Sequence, residues 1–362
     1  MRVLAISSHA DTLVSVRPEA ASFIGLARAG VEMHVMTQGD SPCAQDMRDA
    51  GINVIDYHPK KKWARESIQR IRKDIDAHDV DIVYAFNNKA ICNAAFACRG
   101  RRARLVTYRG QTGNLSRWDP AAYLTHLHPH VNAIIGVANA VTDFLEPVVR
   151  PGVSVTTVYK GHDLGWYTDA ALPRDELGLD EDDFVVACVA NNRPRKGVDY
   201  LVRACGELAD IDNLKLLLVG HGMDRETLGE ALVEADLEDQ AVLLGPRSDA
   251  TAVIQAADVS VLPSTKREGL PKTVIEAMAY AIPCIVTDTG GNAELVLDGK
   301  TGIVVPVADA AAIARAVRTL RNAPGLARRY GDAGRARIAE SFSVERTVTG
   351  TLAVFERLLA TD

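Results

Sequence analysis

The sequence predicts two doubly wound α/β domains, each a parallel sheet covered on both faces. Strand-like and helix-like segments alternate along the whole chain. The alternation pauses at residues 146–165, where Pro147, Pro151 and Gly152 interrupt it, and then restarts. A length of 362 residues also favours two cores over one.

In the first half, residues 3–7 read as the opening strand, directly after Met1. A helix over 18–29 ends at Gly30, and the next strand is Glu32–Thr37. A short strand at 52–57 precedes a helix near 64–77. Strands at 82–86, 105–108 and 133–137 follow, the last feeding a helix from about Ala140. In the second half, 184–190 is strongly apolar, which suits a strand buried on both faces. A helix spans about 198–208, a strand at 215–219 ends at Gly220, and a helix covers 225–235. Strands at 241–244 and Val259–Leu262, a helix from near Thr273 and the strand Cys284–Thr287 complete the pattern. The last segment, Val344–Leu359, is helical and is expected to pack back on the first domain.

Apolar residues make up 47% of the chain, enough for two cores, and aromatic residues only 5%, with Ala and Val filling the gap. Charge is uneven. Residues 1–150 hold 19 Lys and Arg against 15 Asp and Glu, and the rest holds 22 against 32. A mildly basic first half suits an anionic partner, though chance scatter explains the counts equally well. The six cysteines show no CxxC pairing and read as small buried apolar residues in a reducing cytoplasm. No apolar run approaches the ~18 residues that span a bilayer. The expectation is a soluble protein or one bound at a membrane surface.

Residues 263–299 carry most of the chemistry. Glu268 lies in a loop and is followed by Gly269, which lets backbone approach a ligand. Thr273-Val274-Ile-Glu276 spells a capping box, so a helix is expected to begin near Thr273 and to offer free N–H groups and its dipole to a diphosphate. Glu276 either closes that box or bonds a ribose; Glu268 is either a solvated loop acid or a sugar ligand. The spacing of eight between them decides nothing, because Glu226/Glu234 and Glu230/Glu238 share it within one polar helix and its exit. Context decides: the third pair sits among apolar strands, Pro263, Pro271, Pro283 and the glycine turn Gly290–Gly291. Upstream, Lys196 and Gly197 precede a helix, where a lysine opposes the dipole unless an anion lies between.

Several segments together carry a family resemblance. Residues 277–306 continue the Glu pair, Tyr159-Lys-Gly-His-Asp163 lies at the domain crossing, and Arg193-Pro-Arg-Lys196-Gly197 forms a cationic turn. Leu218-Val-Gly220-His-Gly222 and Leu243-Leu-Gly245 mark two strand ends. With these motifs the chain resembles the retaining nucleotide-sugar glycosyltransferases of the GT-B fold, family 4, over nearly its whole length. The resemblance implies two Rossmann-like domains facing each other across a donor/acceptor cleft. Residues 1–160 would bind the acceptor and 161–343 the donor. It implies that Lys196 and an arginine hold the diphosphate, that Glu268 binds the sugar hydroxyls, and that Glu276 binds the ribose. Gly245 to Arg247 and Ser264 would meet the base. A UDP- or GDP-sugar is the expected donor and a saccharide or glycolipid the acceptor, with no metal and no nucleic acid. Transfer with retention, in bacterial surface polysaccharide or lipopolysaccharide synthesis, is what the family suggests.

Three departures from the family pattern stand out. The first βα loop, Ser7 to Glu19, has no glycine, and offers His9 and Arg17 instead. Asn191 stands where the phosphate arginine is usual; Arg193 or Arg195 substitutes, with Arg193 preferred here. The segment Tyr108-Arg109-Gly110-Gln111 stands where a histidine near the transferred sugar is usual, and a five-donor guanidinium suits an anionic group on donor or acceptor. Arg109 is therefore a candidate catalytic residue beside Glu268, or else a surface turn arginine.

The stretch Lys60-Lys61-Lys62-Trp63-Ala-Arg65 opens a helix with Ile68, Ile71 and Ile75 on one face and Arg70, Arg72 and Lys73 beside it. An ordinary helix burying its Ile face explains this; so does docking to anionic lipid, which would place the protein on the inner face of the cytoplasmic membrane. Other functions fit less well. A nicotinamide dehydrogenase needs G-x-G-x-x-G, and Arg225 stands where the third glycine would be. Asp74-Ile-Asp76 and Asp79-Val-Asp81 spell a metal-binding motif but precede a strand instead of following one. A degenerate glycosyltransferase fold that binds without transfer remains the alternative.

Overall fold

The computed structural model describes residues 1–9 and 13–360. The chain forms two compact units, Met1–His162 with Phe342–Asp362, and Asp163–Ser341. The division corrects the expected boundaries slightly: Gly161, His162, Phe342 and Ser343 belong to the first unit. Their backbones interlock. His162 N donates to Phe342 O at 2.7 Å, and His162 pairs with Ser343 as a parallel bridge. A Cβ on Gly161 would lie 2.3 Å from Ser343 O.

In the first unit, strands β1 (Arg2–Ile6), β2 (Glu32–Thr37), β3 (Asn53–Asp56), β4 (Ile82–Ala85), β5 (Arg104–Arg109), β6 (Val131–Gly136) and β7 (Ser154–Thr157) form one sheet. Its order is β3-β2-β1-β4-β5-β6-β7, and every pairing is parallel. Helices α1 (Leu13–Arg28), α2 (Pro42–Asp49), α3 (Arg65–Ala77), α4 (Asn88–Ala97) and α5 (Asn139–Leu145) connect the strands. The stretch expected only to cross between domains thus contains β7. Its alternation Ser-Val-Thr-Thr is half-buried at the sheet edge, so it lacks the apolar run of a central strand. Helix α4 hides for the opposite reason: seven of its ten residues are buried, so little polar face marks a period.

The second unit holds β8 (Phe184–Val189), β9 (Leu214–Val219), β10 (Ala241–Gly245), β11 (Val259–Leu262), β12 (Cys284–Thr287) and β13 (Gly302–Val305), in the order β10-β9-β8-β11-β12-β13, again all parallel. Helices α6 (Val198–Gly206), α7 (Arg225–Glu234), α8 (Ala250–Val253), α9 (Lys272–Ala279), α10 (Asn292–Leu295), α11 (Ala310–Asn322) and α12 (Pro324–Ser341) surround it. The final helix, α13 (Val344–Leu359), packs on α1 in the first unit and buries Val354 and Phe355 in its core.

All six cysteines are buried and free. Ile68, Ile71 and Ile75 form the buried face of α3. The Asp-x-Asp pairs serve local structure: Asp74 pairs with Arg70, Asp76 with Arg101, and Asp79 and Asp81 with Arg2. Among the described residues no helix is long and apolar enough to cross a membrane.

Candidate donor site

In the second unit, the chain turns one way from β8 to β9 and the other way from β11 to β12. The crevice between β8 and β11 is therefore the topological switch point, where ligands of open α/β sheets bind at the carboxyl ends of the strands. The loop after β8 carries Arg193 to Gly197, and the loop after β11 carries Ser264 to Gly269.

Backbone bonds tie these two loops to each other, and the second of them to the loop after β12. Thr265 N donates to Arg195 O at 2.8 Å, and Gly291 N to Gly269 O at 3.0 Å. Gly197 has φ 64°, and a Cβ there would lie 2.2 Å from Pro263 O. Gly290 has φ 56°, and its Cβ would lie 2.2 Å from Glu268 O. Only glycine permits both the left-handed backbone and the close approach.

Glu268 is 5% exposed and sits at the centre. Its Oε1 meets Lys196 Nζ at 2.6 Å, accepts from Ser264 Oγ at 2.7 Å, and lies 3.7 Å from Arg195 NH1. Ser264 is itself fully buried, and its carbonyl accepts from Thr287 Oγ1. All these contacts fall on one oxygen, so Oε2 stays unengaged among the described residues. Sequence reasoning gave Ser264 a different role, and it preferred Arg193, which is exposed, to Arg195, which approaches Glu268.

Helix α9 starts differently from the sequence expectation. Pro271, not Thr273, occupies the N-cap, and its carbonyl accepts from Val274 N and Ile275 N. Thr273 lies in the first turn and makes no capping bond, so the capping box does not form. Proline at the cap explains this, since its fixed φ presets the helix entry without a side-chain acceptor. The N–H groups of Lys272 and Thr273 remain without a partner among the described residues. Glu276 is thus freed from the capping role. It is 6% exposed, and Lys272 Nζ stands 2.8 Å from Oε1 but outside hydrogen-bond geometry. Burial raises its pKa, with Lys272 opposing. A buried carboxylate oxygen without an aligned donor is suited to sugar hydroxyls. Lys272 was missed, although its i,i+4 spacing to Glu276 was visible.

Farther along the edge, Gly245 has φ 61° and its carbonyl accepts from Gly220 N at 2.8 Å. Arg247 makes a two-pronged pair with Asp249, at 2.8 and 2.6 Å. The sheet order therefore brings Lys196 and Gly197 to the loop of Glu268 and Gly269 within one unit; Thr273, Val274 and Glu276 follow on α9, and Gly245 ends β10 with Arg247 just beyond it.

Comparison with known proteins fits this arrangement. Residues 171–337 match the model of glycosyl transferases group 1, and residues 24–166 that of glycosyltransferase family 4. The chain is a family 4 glycosyltransferase of the GT-B fold. This glycosyltransferase is 27% identical to the putative glycosyltransferase EpsD of Bacillus subtilis (strain 168), over 92% of its own length and 91% of the relative's. It is also 27% identical to the N-acetyl-alpha-D-glucosaminyl L-malate synthase of Bacillus anthracis, over 93% and 92%. A glycosyltransferase structure from Rickettsia africae ESF-5 shares its fold with a TM-score of 0.79 at 17% identity, covering 100% of this chain and 99% of that one. Anabaena Alr3699/HepE, in complex with UDP-glucose, gives 0.76 at 19% identity, covering 100% of both chains.

The first unit of this glycosyltransferase differs from expectation at Arg109. The side chain is 7% exposed; its Nε donates to Gln111 O at 3.1 Å and its NH2 to Gly113 O. The guanidinium braces its own turn, because that turn would otherwise leave two carbonyls without donors. His9 is 1% exposed, with Nδ1 against Thr37 Oγ1 at 2.8 Å, while residues 10–12 of the glycine-free loop lie outside the described residues. Lys160, standing where Asn is usual, pairs with Glu19 at 2.9 Å. Ser7 Oγ also donates to Glu19. Burial would raise the Glu19 carboxyl, but Lys160 and Ser7 outweigh it and hold the pKa down. At 141 residues apart, this pair left no signal in the sequence.

Proposed function

We propose that this glycosyltransferase moves a hexose from a UDP- or GDP-sugar to a hydroxyl of a saccharide or glycolipid, with retention and without a metal. The observation that carries the reading is Lys196 against Glu268 at the switch point, with buried Glu276 eight residues onward on α9. In this reading the diphosphate lies on Lys196, on Arg195 or Arg193, and on the free N–H groups that open α9. As the sugar–phosphate bond breaks, the leaving diphosphate gains negative charge, which these fixed groups stabilise. Glu268 orients the sugar through its hydroxyls, and Glu276 the ribose. The leaving phosphate takes the acceptor proton on the same face, so no separate base is required. The UDP and UDP-glucose in the HepE structures support the UDP arm. A relative named as a lipopolysaccharide core biosynthesis mannosyltransferase, LpcC of Rhizobium leguminosarum bv. viciae, supports a role in bacterial surface glycan or glycolipid assembly.

A thermal-shift screen of UDP, GDP and their common sugars tests the donor. A ligand at 100 times its dissociation constant adds about 2.7 kcal/mol of stability. Stabilisation by neither nucleotide, at millimolar concentration, would reject the reading. Stabilisation with neither transfer nor donor hydrolysis would favour a protein that binds without reacting.

A further inference from the structure

Two tryptophans of the first unit lie outside its core: Trp63 is 67% exposed and Trp118 is 94% exposed. Isolated exposed apolar residues need no explanation, but grouped ones do. These are grouped around α4. The Trp63 ring lies 6.3 Å from Phe96 on that helix, and Phe96 lies 4.9 Å from His128. The 3₁₀ turn Pro120–Leu124, just beyond Trp118, also packs on α4, and leaves Tyr123 44% and Leu124 36% exposed.

The turn that presents Trp63 is built, not frayed. Asn93 Nδ2 donates to Lys61 O, and Ala64 N donates to Asn93 Oδ1, both at 2.8 Å. Trp63 itself has φ 51°, a left-handed conformation that bulky side chains disfavour. Neither backbone preference nor burial accounts for tryptophan here, so a role at the surface does.

The surrounding charge is one-sided. Lys60, Lys61, Lys62 and Arg65 are exposed and have no ion pair among the described residues, and Lys89 and Arg99 are exposed near the two ends of α4. Residues 60–117 hold 14 Lys and Arg against 5 Asp and Glu. Four of those acids, Asp74, Asp76, Asp79 and Asp81, are already paired with arginines. Arg70 and Arg72 bond inward, to Asp74 and to Phe96 O, so the free positive charge lies at 60–65 and beside α4.

We propose that this face of the first unit docks on an anionic lipid bilayer, with Trp63 and Trp118 as interfacial anchors and the lysines at 60–62 drawing in the headgroups. Indole rings settle at the headgroup level of a bilayer, and basic residues beside them add attraction to anionic lipid. A nucleic-acid duplex would use the charge but gain nothing from the aliphatic side chain of Leu124. The inference stands apart from the donor assignment, since docking is measured without any transfer.

The test is sedimentation with vesicles of phosphatidylcholine alone or mixed with phosphatidylglycerol. The protein should pellet with the mixed vesicles at low salt, and its tryptophan emission should shift to the blue. Lys60→Glu/Lys61→Glu/Lys62→Glu should weaken binding on the order of a hundredfold. Trp118→Ser should weaken it about tenfold. Both sets of changes lie on exposed residues, and matching thermal midpoints would confirm intact folding. No binding to mixed vesicles at low salt, or binding that Trp118→Ser leaves unchanged, would overturn the proposal. So would tighter, Trp118-independent binding to a single-stranded RNA oligonucleotide.

Discussion

Lys196 Nζ lies 2.6 Å from Glu268 Oε1, so the cation that takes the diphosphate in the proposed function is paired with the acid that takes the sugar. A diphosphate must therefore compete with Glu268 for the ammonium. Glu268→Gln removes the competitor, and calorimetry should show the nucleoside diphosphate binding about 3- to 10-fold tighter, while transfer falls about 10- to 100-fold. Lys196→Met should weaken nucleotide binding by about 30-fold or more, since it also leaves Glu268 buried without its partner. Unchanged nucleotide affinity in Glu268→Gln would show that the pair does not compete.

Two glycines of the second unit should respond in opposite directions. Gly290→Ala forces a Cβ to 2.2 Å from Glu268 O at a left-handed φ of 56°. It should cost about 3 kcal/mol in chemical denaturation and disturb the Glu268 loop. Gly229 lies inside α7 with open space around it. Gly229→Ala should add about 0.5–1 kcal/mol.

The Glu19–Lys160 pair makes a pH-dependent prediction. Glu19 is held below its ordinary pKa of 4.5, so its contribution is present above that pH and is lost as pH falls through the lowered value. Lys160→Met leaves the carboxylate buried without its cation and should cost about 3 kcal/mol near neutrality. In that variant the carboxyl pKa rises, and part of the loss should be recovered on acidification. Lys160→Met/Glu19→Gln should be milder than Lys160→Met alone, which a double-mutant cycle measures.

His126 should contribute a steep acid sensitivity. It is 3% exposed, its Nδ1 stands 3.0 Å from Thr107 Oγ1, and burial, then the nearby Arg109 charge, pushes its pKa down to about 3. Between that value and the ordinary 6.5, the unfolded chain binds a proton that the folded chain refuses. Stability should therefore fall as pH drops below 6.5, by about 1.4 kcal/mol per pH unit from this residue. Denaturation curves of His126→Asn against wild type should show that slope removed; parallel pH profiles would contradict it.

Much of the fold was legible because buried parallel strands leave continuous apolar runs. The strands Glu32–Thr37, Val259–Leu262 and Cys284–Thr287 could be placed to the residue, as could the amphipathic helix Val344–Leu359. Elements without contrast escaped. Strand β7 is half-buried along its length, and α4 is apolar on nearly every side, so neither shows a period.

Glu268, Glu276 and Lys196 were likewise candidates from residue type, neighbouring glycines and strand-end position, together with the family resemblance. That much is local chemistry, which a sequence can determine by itself. Folding decided the partnerships, and the two central ion pairs join groups 72 and 141 residues apart in the chain. The sheet order brings the loop after β8 to the loop after β11, and so sets Lys196 and Ser264 on the same oxygen of Glu268. It turned Arg109 inward onto its own turn, replaced the expected Thr273 cap with Pro271, and joined Glu19 to Lys160. A carboxylate's role follows from which charges and donors surround it, and only the tertiary structure assembles those surroundings.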